Sequence, residues 1–418
     1  MSPSLKTISS VPQRLLFTMF CVLTMALITA CGGGGSSNGS SAGDNNSNFE
    51  LKTILTGVAE LMQKDFQTLD ERLNALDTSV VTYCSSLGTP LRADNRIQAQ
   101  ADFKSVMETL QNTLMYGGFT DGGGTYGIGP VRDDLRLTQL YSWPLTSSCQ
   151  VDLNLANDDG ELKNAVNQRG IDSLEYLLFV DEGANHSCAD NFPVLHPQLD
   201  TFDALNNGEK EQRRCAAMVN IVADAVVNAS LLNSGWAASQ DNYAAVMSTS
   251  SRPFETLNHI SDGMFYFEKL VKEDKIDRPL GGNSTNNPPS CGPGQPCPDD
   301  LESSWARLSK ENLIANMRAF QNLYHGGSGD IASLSGFDDW LISEGEDALA
   351  KKFGDEIQAV IDTLEAINGS LYDAIESDIV TVNTLLIGPV DTLSDTLRFH
   401  VLPALKLRLP QGSASDTD

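Results

Sequence analysis

Between Leu51 and Leu76 the large apolar side chains fall at Leu51, Ile54, Leu55, Val58, Leu61, Met62, Phe66, Leu69, Leu73 and Leu76. Steps of three and four residues line these positions along one stripe of a helix, and such a stripe must be buried against another element. The same spacing returns over Ala101–Met115, Asp172–Phe179, Glu209–Leu232, Pro253–Val271, Ser303–Tyr324, Asp338–Lys352, Glu356–Ile375 and Pro389–Leu402. No stretch sustains an alternation of period two. The chain is therefore expected to be all-α, of bundle type. Between the helical runs, Gly117–Gly129 is glycine-rich and Cys149–Gly160 is polar. Phe179–Pro197 carries two histidines and a cysteine, and Asp277–Asp300 is the longest. These segments read as loops. The stretch 233–253 is taken as the junction between an N-terminal half, 50–232, and a C-terminal half, 253–409. A polar tail, 410–418, follows.

The first residues have a different character. Lys6 and Arg14 precede an apolar stretch, Leu15 to Ile28, which ends in Ile28-Thr29-Ala30-Cys31. Charge, then a short apolar core, then small residues is the order of a signal peptide, 1–30, and the core is too short for a comfortable membrane span. An aliphatic residue, two small residues and a cysteine resemble a lipobox, which implies acylation of Cys31 and a membrane partner through the lipid. Each buried CH₂ of such a lipid gives about 0.8 kcal/mol of membrane affinity. An ordinary signal peptide cut near Ala30, or an uncleaved anchor, are the alternatives. Residues 31–49 are almost entirely Gly, Ser, Asn and Asp beyond the cysteine, a composition that cannot bury apolar surface and serves as a tether. Gly32 rather than Asp follows Cys31, which by resemblance to bacterial lipoprotein sorting favours the outer membrane.

Lys and Arg number 28 against 55 Asp and Glu, a formal charge of −27. The leader holds two of the basic residues and no acidic one, so without it the charge is −29, from 26 basic and 55 acidic residues. Such a surface repels nucleic acid and anionic lipid and attracts cations or basic partners. No nucleic-acid partner is expected. Six cysteines remain once Cys21 leaves with the leader and Cys31 takes the lipid: Cys84, Cys149, Cys188, Cys215, Cys291 and Cys297. An even set in an exported chain reads as disulfides, with fifteen possible pairings. Pairing of sequence neighbours, Cys84–Cys149, Cys188–Cys215 and Cys291–Cys297, is the simplest expectation. A thiolate zinc site is disfavoured, because no Cys-x-x-Cys occurs.

Arg169-Gly170-Ile171-Asp172-Ser173-Leu174-Glu175-Tyr176-Leu177-Leu178-Phe179 resembles the central motif of the imelysin-like family, Gly-x-His-x-x-Glu followed by Tyr-Leu-Leu. Gly129-Pro130 and Trp143-Pro144 resemble that family's upstream positions. Lys275-Ile276-Asp277-Arg278-Pro279-Leu280-Gly281 resembles its lead into the second half. Glu302-Ser303-Ser304, running on through Asn316 and Phe320 to Tyr324-His325-Gly326, is similar to its second-half helix. The resemblance spans about Leu51 to Leu409 and is to the insulin-cleaving metalloprotease and iron-regulated protein type. It implies an exported protein of two helical-bundle halves packed together. It also implies a role in iron or haem uptake, with uptake components as partners, and a metal or ligand held at the motif. Metallopeptidase activity is the older family reading, and a non-catalytic interaction module with a decayed site is a third.

The chain departs from the motif where Asp172 replaces the histidine. Asp172 and Glu175 lie three apart, on one face of a helix. Two carboxylates make an oxygen-only site suited to Ca²⁺, Mg²⁺, Mn²⁺ or Fe³⁺ more than to zinc, so a divalent cation or iron is the candidate cofactor, and the residues leave open whether any is bound. A helix-start role for Asp172, accepting backbone N–H groups, is the structural alternative. Gly170 is expected to permit close backbone approach. Proteolysis is not expected, because no His-Glu-x-x-His occurs and His186, His196, His259, His325 and His400 are scattered. His186, in the loop after the motif, is a further ligand candidate. Ser303 and Ser304 are candidates for a pocket or for capping a helix, and Trp143 for a pocket or for packing. Arg307 and Arg318, eleven apart on one expected helix, are candidates to clamp an anion or to pair with Glu175, surface ion pairing being their default.

Overall fold

The computed structural model describes residues 50–117, 120–121, 124–125, 136–157, 165–237, 243–282, 289–327 and 334–410. The signal peptide, Cys31, the tether up to residue 49, Gly129-Pro130 and the tail beyond Pro410 lie outside the described residues. In order, the helices are α1 (Leu51–Ser85), α2 (Arg92–Gly117), α3 (Arg136–Leu140), α4 (Ser148–Asn157), α5 (Ile171–Phe179) and α6 (Gln198–Asp203). There follow α7 (Asn207–Trp236), α8 (Tyr243–Ser248), α9 (Pro253–Met264), α10 (Ser309–His325), α11 (Phe337–Ser343) and α12 (Asp347–Ala366). The last are α13 (Leu371–Ser377), α14 (Ile379–Leu385), α15 (Asp391–Thr396) and α16 (Leu402–Ala404). Among the described residues the one strand pairing is a two-residue antiparallel contact, Thr120–Asp121 with Gly124–Thr125.

The stripe read from the sequence is the spine of the fold. Ile54 through Leu76 are buried on α1, and Val80 and Tyr83 continue the spacing, so the helix runs on to Ser85. Each such side chain contributes roughly 1.5–3 kcal/mol when taken fully out of water. α1 packs against α2, α7, α8 and α9; α2 passes the packing on to α10, and α10 to α12. The start of α7 is fixed by reciprocal bonds: Asn206 Oδ1 accepts from the Glu209 N–H and Glu209 Oε2 accepts from the Asn206 N–H, both at 3.0 Å. One apolar cluster runs from Ile54 to Leu407, and residues Ser47–Asp418 form a single compact unit. Helices from both sides of residues 233–253 therefore share one core.

Several expected helices are divided. The run expected over Ser303–Tyr324 begins at Ser309, and Leu301–Arg307 is a series of turns in which Arg307 takes φ 59°. Asp338–Lys352 is split into α11 and α12 by a turn at Gly345, φ 88°. The run expected over Glu356–Ile375 breaks between Ala366 and Leu371, around Gly369 at φ 73°. The helix expected over Pro253–Val271 ends at Met264, and a wider π-helical stretch, Phe267–Asp277, carries the chain on. The polar segment after Cys149, expected as a loop, is helical over Ser148–Asn157, because Val151 and Leu155, four apart, are buried together on it.

The disulfides are Cys84–Cys215, Cys149–Cys188 and Cys291–Cys297. Only the third follows sequence adjacency. The other two expected pairings are corrected for a packing reason. α1 and α7 lie side by side, so Cys84 near the end of one meets Cys215 near the start of the other.

Candidate functional site

Gly170 sets the geometry. It takes φ 84°, and a Cβ there would stand 2.9 Å from the carbonyl oxygen of Leu140. Glycine alone lets the start of α5 press against the end of α3. The contact brings Asp172 under the segment leaving α3. Its Oδ2 accepts the N–H groups of Ser142 (2.8 Å) and Trp143 (3.1 Å). Asp172 thus accepts backbone N–H bonds, but from a neighbouring segment rather than from its own helix, whose N-cap is Gly170. Trp143 contributes its backbone, and the Trp143–Pro144 peptide is cis.

One turn along α5, Glu175 Oε1 accepts the N–H of Ala306 at 2.9 Å. Its helix neighbour Tyr176 packs its ring against Trp305, the residue before Ala306, at 5.1 Å between centroids. The turn 301–307 is so fastened to α5 at two successive residues. Both carboxyls are buried, and each keeps one oxygen, Asp172 Oδ1 and Glu175 Oε2, with no hydrogen-bond partner among the described residues. Burial pushes Asp172 up to about 7, against the pull of the Ser142 N–H. Burial pushes Glu175 up to about 8. The Ala306 N–H and the Ser303 hydroxyl oppose that rise, and the charge of Asp172 adds to it.

Beside them lies a closed polar network centred on Glu302. Its Oε1 meets Lys275 Nζ at 3.0 Å, accepts Gln111 Nε2 at 2.7 Å and accepts the Tyr141 hydroxyl. Its Oε2 accepts Asn312 Nδ2 at 3.1 Å. Lys275 also donates to Gln111 Oε1 (2.7 Å) and Asn316 Oδ1 (2.8 Å), which uses all three ammonium hydrogens. Burial lowers the Lys275 pKa and the charge of Glu302 opposes that fall. Ser303 belongs to this network, accepting Asn312 Nδ2 at 3.0 Å, and Ser304 is buried in the same turn. Neither serine caps a helix, since α10 begins only at Ser309 after Leu308.

The remaining candidates stand elsewhere. Arg307 is in the turn and not on the helix of Arg318. It stacks on the Tyr372 ring, 3.2 Å from its centroid. Arg318 is exposed and bonded to Glu365 at 2.7 Å. The expected alternative pairing of these arginines with Glu175 is not formed. His186 faces Asp203 (3.6 Å) and accepts the Cys188 N–H (3.2 Å). His325 is bonded to Asp338, and His259 lies against Asp262 and Arg408.

Reading motifs located Asp172, Glu175 and Ser303 but missed the hub formed by Glu302 and Lys275. A signal was present. Asn312 and Asn316 stand four apart beside buried Leu313 and Phe320, and Gln111 interrupts the apolar face of α2. Polar residues on a buried face need partners.

No group of three or more His, Cys, Asp or Glu side chains is arranged to hold a metal among the described residues. What the site does offer is two buried carboxylate oxygens without donors, an oxygen-only pair that fits a cation or a proton rather than the nitrogen-bearing set of a zinc peptidase.

The fold and site define a class: an α-helical protein in which a Gly-x-Asp-x-x-Glu helix start buries two carboxyls, Asp172 against the segment 142–143 and Glu175 against a turn from the second half of the chain. The family model Peptidase_M75, Imelysin, matches residues 62–384, and the chain belongs to the imelysin family. A putative iron-regulated protein A precursor from Parabacteroides distasonis ATCC 8503 is similar in structure at TM-score 0.63 and 15% identity, over 88% of this chain and 96% of that one. An imelysin-like protein from Psychrobacter arcticum 273-4 is similar at TM-score 0.58 and 14% identity, over 87% of this chain and 99% of that one. No curated protein matches the chain.

Proposed function

We propose that this imelysin-family chain is a lipid-anchored, iron-associated binding protein of the bacterial cell envelope that holds a cation between Asp172 and Glu175. One observation carries the reading. Two carboxylate oxygens one helical turn apart are buried with no donor, and burying charge without a partner is costly. A cation between them offsets that cost and returns both carboxyls to their ionised form. The name of the Parabacteroides neighbour, an iron-regulated protein, favours iron as that cation. The acidic surface favours cation approach, and the lipobox-like run Ile28-Thr29-Ala30-Cys31 supports a membrane-tethered site. A peptide-cleaving role draws no support from this donor set, which lacks the histidines of a water-activating zinc centre.

Calorimetry on the metal-stripped mature protein tests the reading. Chelate-buffered Fe³⁺, Mn²⁺ or Ca²⁺ should bind saturably, and Asp172→Asn and Glu175→Gln should each weaken binding. Absence of saturable binding by all three ions would overturn it, leaving protons as the occupants of the two carboxyls.

A further inference from the structure

Outside the buried network, a cleft of about 750 Å³ is lined by residues of α2, of α10 and of the turn 306–308. Its charges are not balanced. Its two acids already have cations outside the cleft: Glu108 pairs with Arg72 at 3.0 Å and Glu311 with Lys310 at 3.8 Å. Arg318 pairs with Glu365. Lys104 on the α2 wall and Arg307 on the other wall have no carboxylate partner among the described residues. In a chain of formal charge −27, two such cations around one cleft are a local reversal of sign.

Arg307 is also conformationally unusual. It is one of two non-glycine residues at positive φ among the described residues. A backbone held there costs on the order of 1–3 kcal/mol, and strain of this kind concentrates at ligand sites. Its guanidinium carbon stands 3.2 Å from the centroid of the Tyr372 ring, and a guanidinium held against an aromatic ring is a pre-organised fork for carboxylates.

We infer that this cleft binds a small organic polycarboxylate, one carboxylate taken by Lys104 and another by the fork of Arg307. The two cations sit on different walls, so the ligand carries at least two separated negative groups. The volume lies in the range of small-molecule sites, larger than a single inorganic anion needs. Apolar Leu308, Ile314 and Ala315 are also among its lining, which suits a carbon skeleton. The site is independent of the cation at Asp172 and Glu175, although Ala306 borders both.

Citrate titrated into metal-stripped mature protein, followed calorimetrically, tests this inference. A single saturable event is expected. Lys104→Met and Arg307→Met should each weaken it about tenfold, the loss of one charge-assisted contact. Arg307→Gly, which relieves the positive φ while removing the guanidinium, should weaken it as much, separating a lost contact from a distorted turn. Lys351→Met removes the same charge from an exposed pair with Asp355 and should leave binding unchanged. Glu175→Gln should also leave it unchanged, so failure here is distinguishable from failure of the cation reading. The inference is overturned if citrate does not saturate, if Lys351→Met weakens binding as much as Arg307→Met, or if inorganic phosphate binds as tightly as citrate.

Discussion

Asp172 and Glu175 show what a single side chain gains and loses by burial. Each keeps backbone hydrogen bonds to one oxygen, so neither is a misplaced charge; each leaves the other oxygen dry, so neither is a comfortable anion. In the metal-free protein both pKa values lie above those of the unfolded chain, about 7 against 3.8 and about 8 against 4.5. The folded state therefore holds these protons more tightly. Their contribution is fully favourable below the unfolded values and is lost as pH rises through about 7 and then about 8. Glu175→Gln keeps an oxygen for the Ala306 N–H and removes the titration. Its melting temperature should exceed that of the wild type by a few degrees above about pH 8, with the gap shrinking towards pH 5. Thermal melts across that range check this; a gap that does not change with pH would show that burial of the Glu175 charge is not what limits stability. The sequence made these two residues visible through their motif, but it did not reveal what they touch. Ala306 is 131 positions from Glu175 in sequence, and only packing brings them together.

At the scale of elements, periodicity located the helices and local chemistry decided where they stop. The stripe of α1 and the apolar positions of α5, α7 and α12 were legible because burial of one face is written in every third or fourth residue. The breaks at Gly345 and Gly369, and the turns before Ser309, were not, because the apolar spacing continues across them while the backbone turns away. Short helices such as α3 and α6 offered too few periods to register. Gly170 is the joint on which one junction depends: it lets α3 and α5 approach closely enough for Asp172 to reach Ser142. Gly170→Ala forces a Cβ against the Leu140 and Gln139 carbonyls in a conformation L residues avoid, and should cost about 1–3 kcal/mol. Chemical denaturation checks this, and an alanine variant as stable as the wild type would show that the junction yields easily.

For the whole molecule, the all-α class and the membership of the imelysin family follow from the helical pattern and the ordered motifs, whereas the single shared core and the disulfide connectivity follow only from tertiary packing. The proposed anchor belongs to this scale too. Cys31→Ala should move the protein out of the membrane fraction or leave its leader uncut, as fractionation and N-terminal mass would report; a wild-type protein found soluble, beginning at another residue, would refute the lipid. The Cys84–Cys215 bridge would have a mechanical consequence if the chain is held at Cys31 as proposed. It joins positions 131 apart, and Cys149–Cys188 is nested inside it. A pull between Cys31 and the C-terminus would pass from Cys84 directly to Cys215, so the intervening chain would bear no tension while the bond lasts. Asp172 and Glu175 ride inside that slack loop; Lys275, Glu302 and Ala306 lie on the taut strand. Stretching would therefore part the site along the seam between α5 and the turn 301–307, leaving its motif half covalently enclosed.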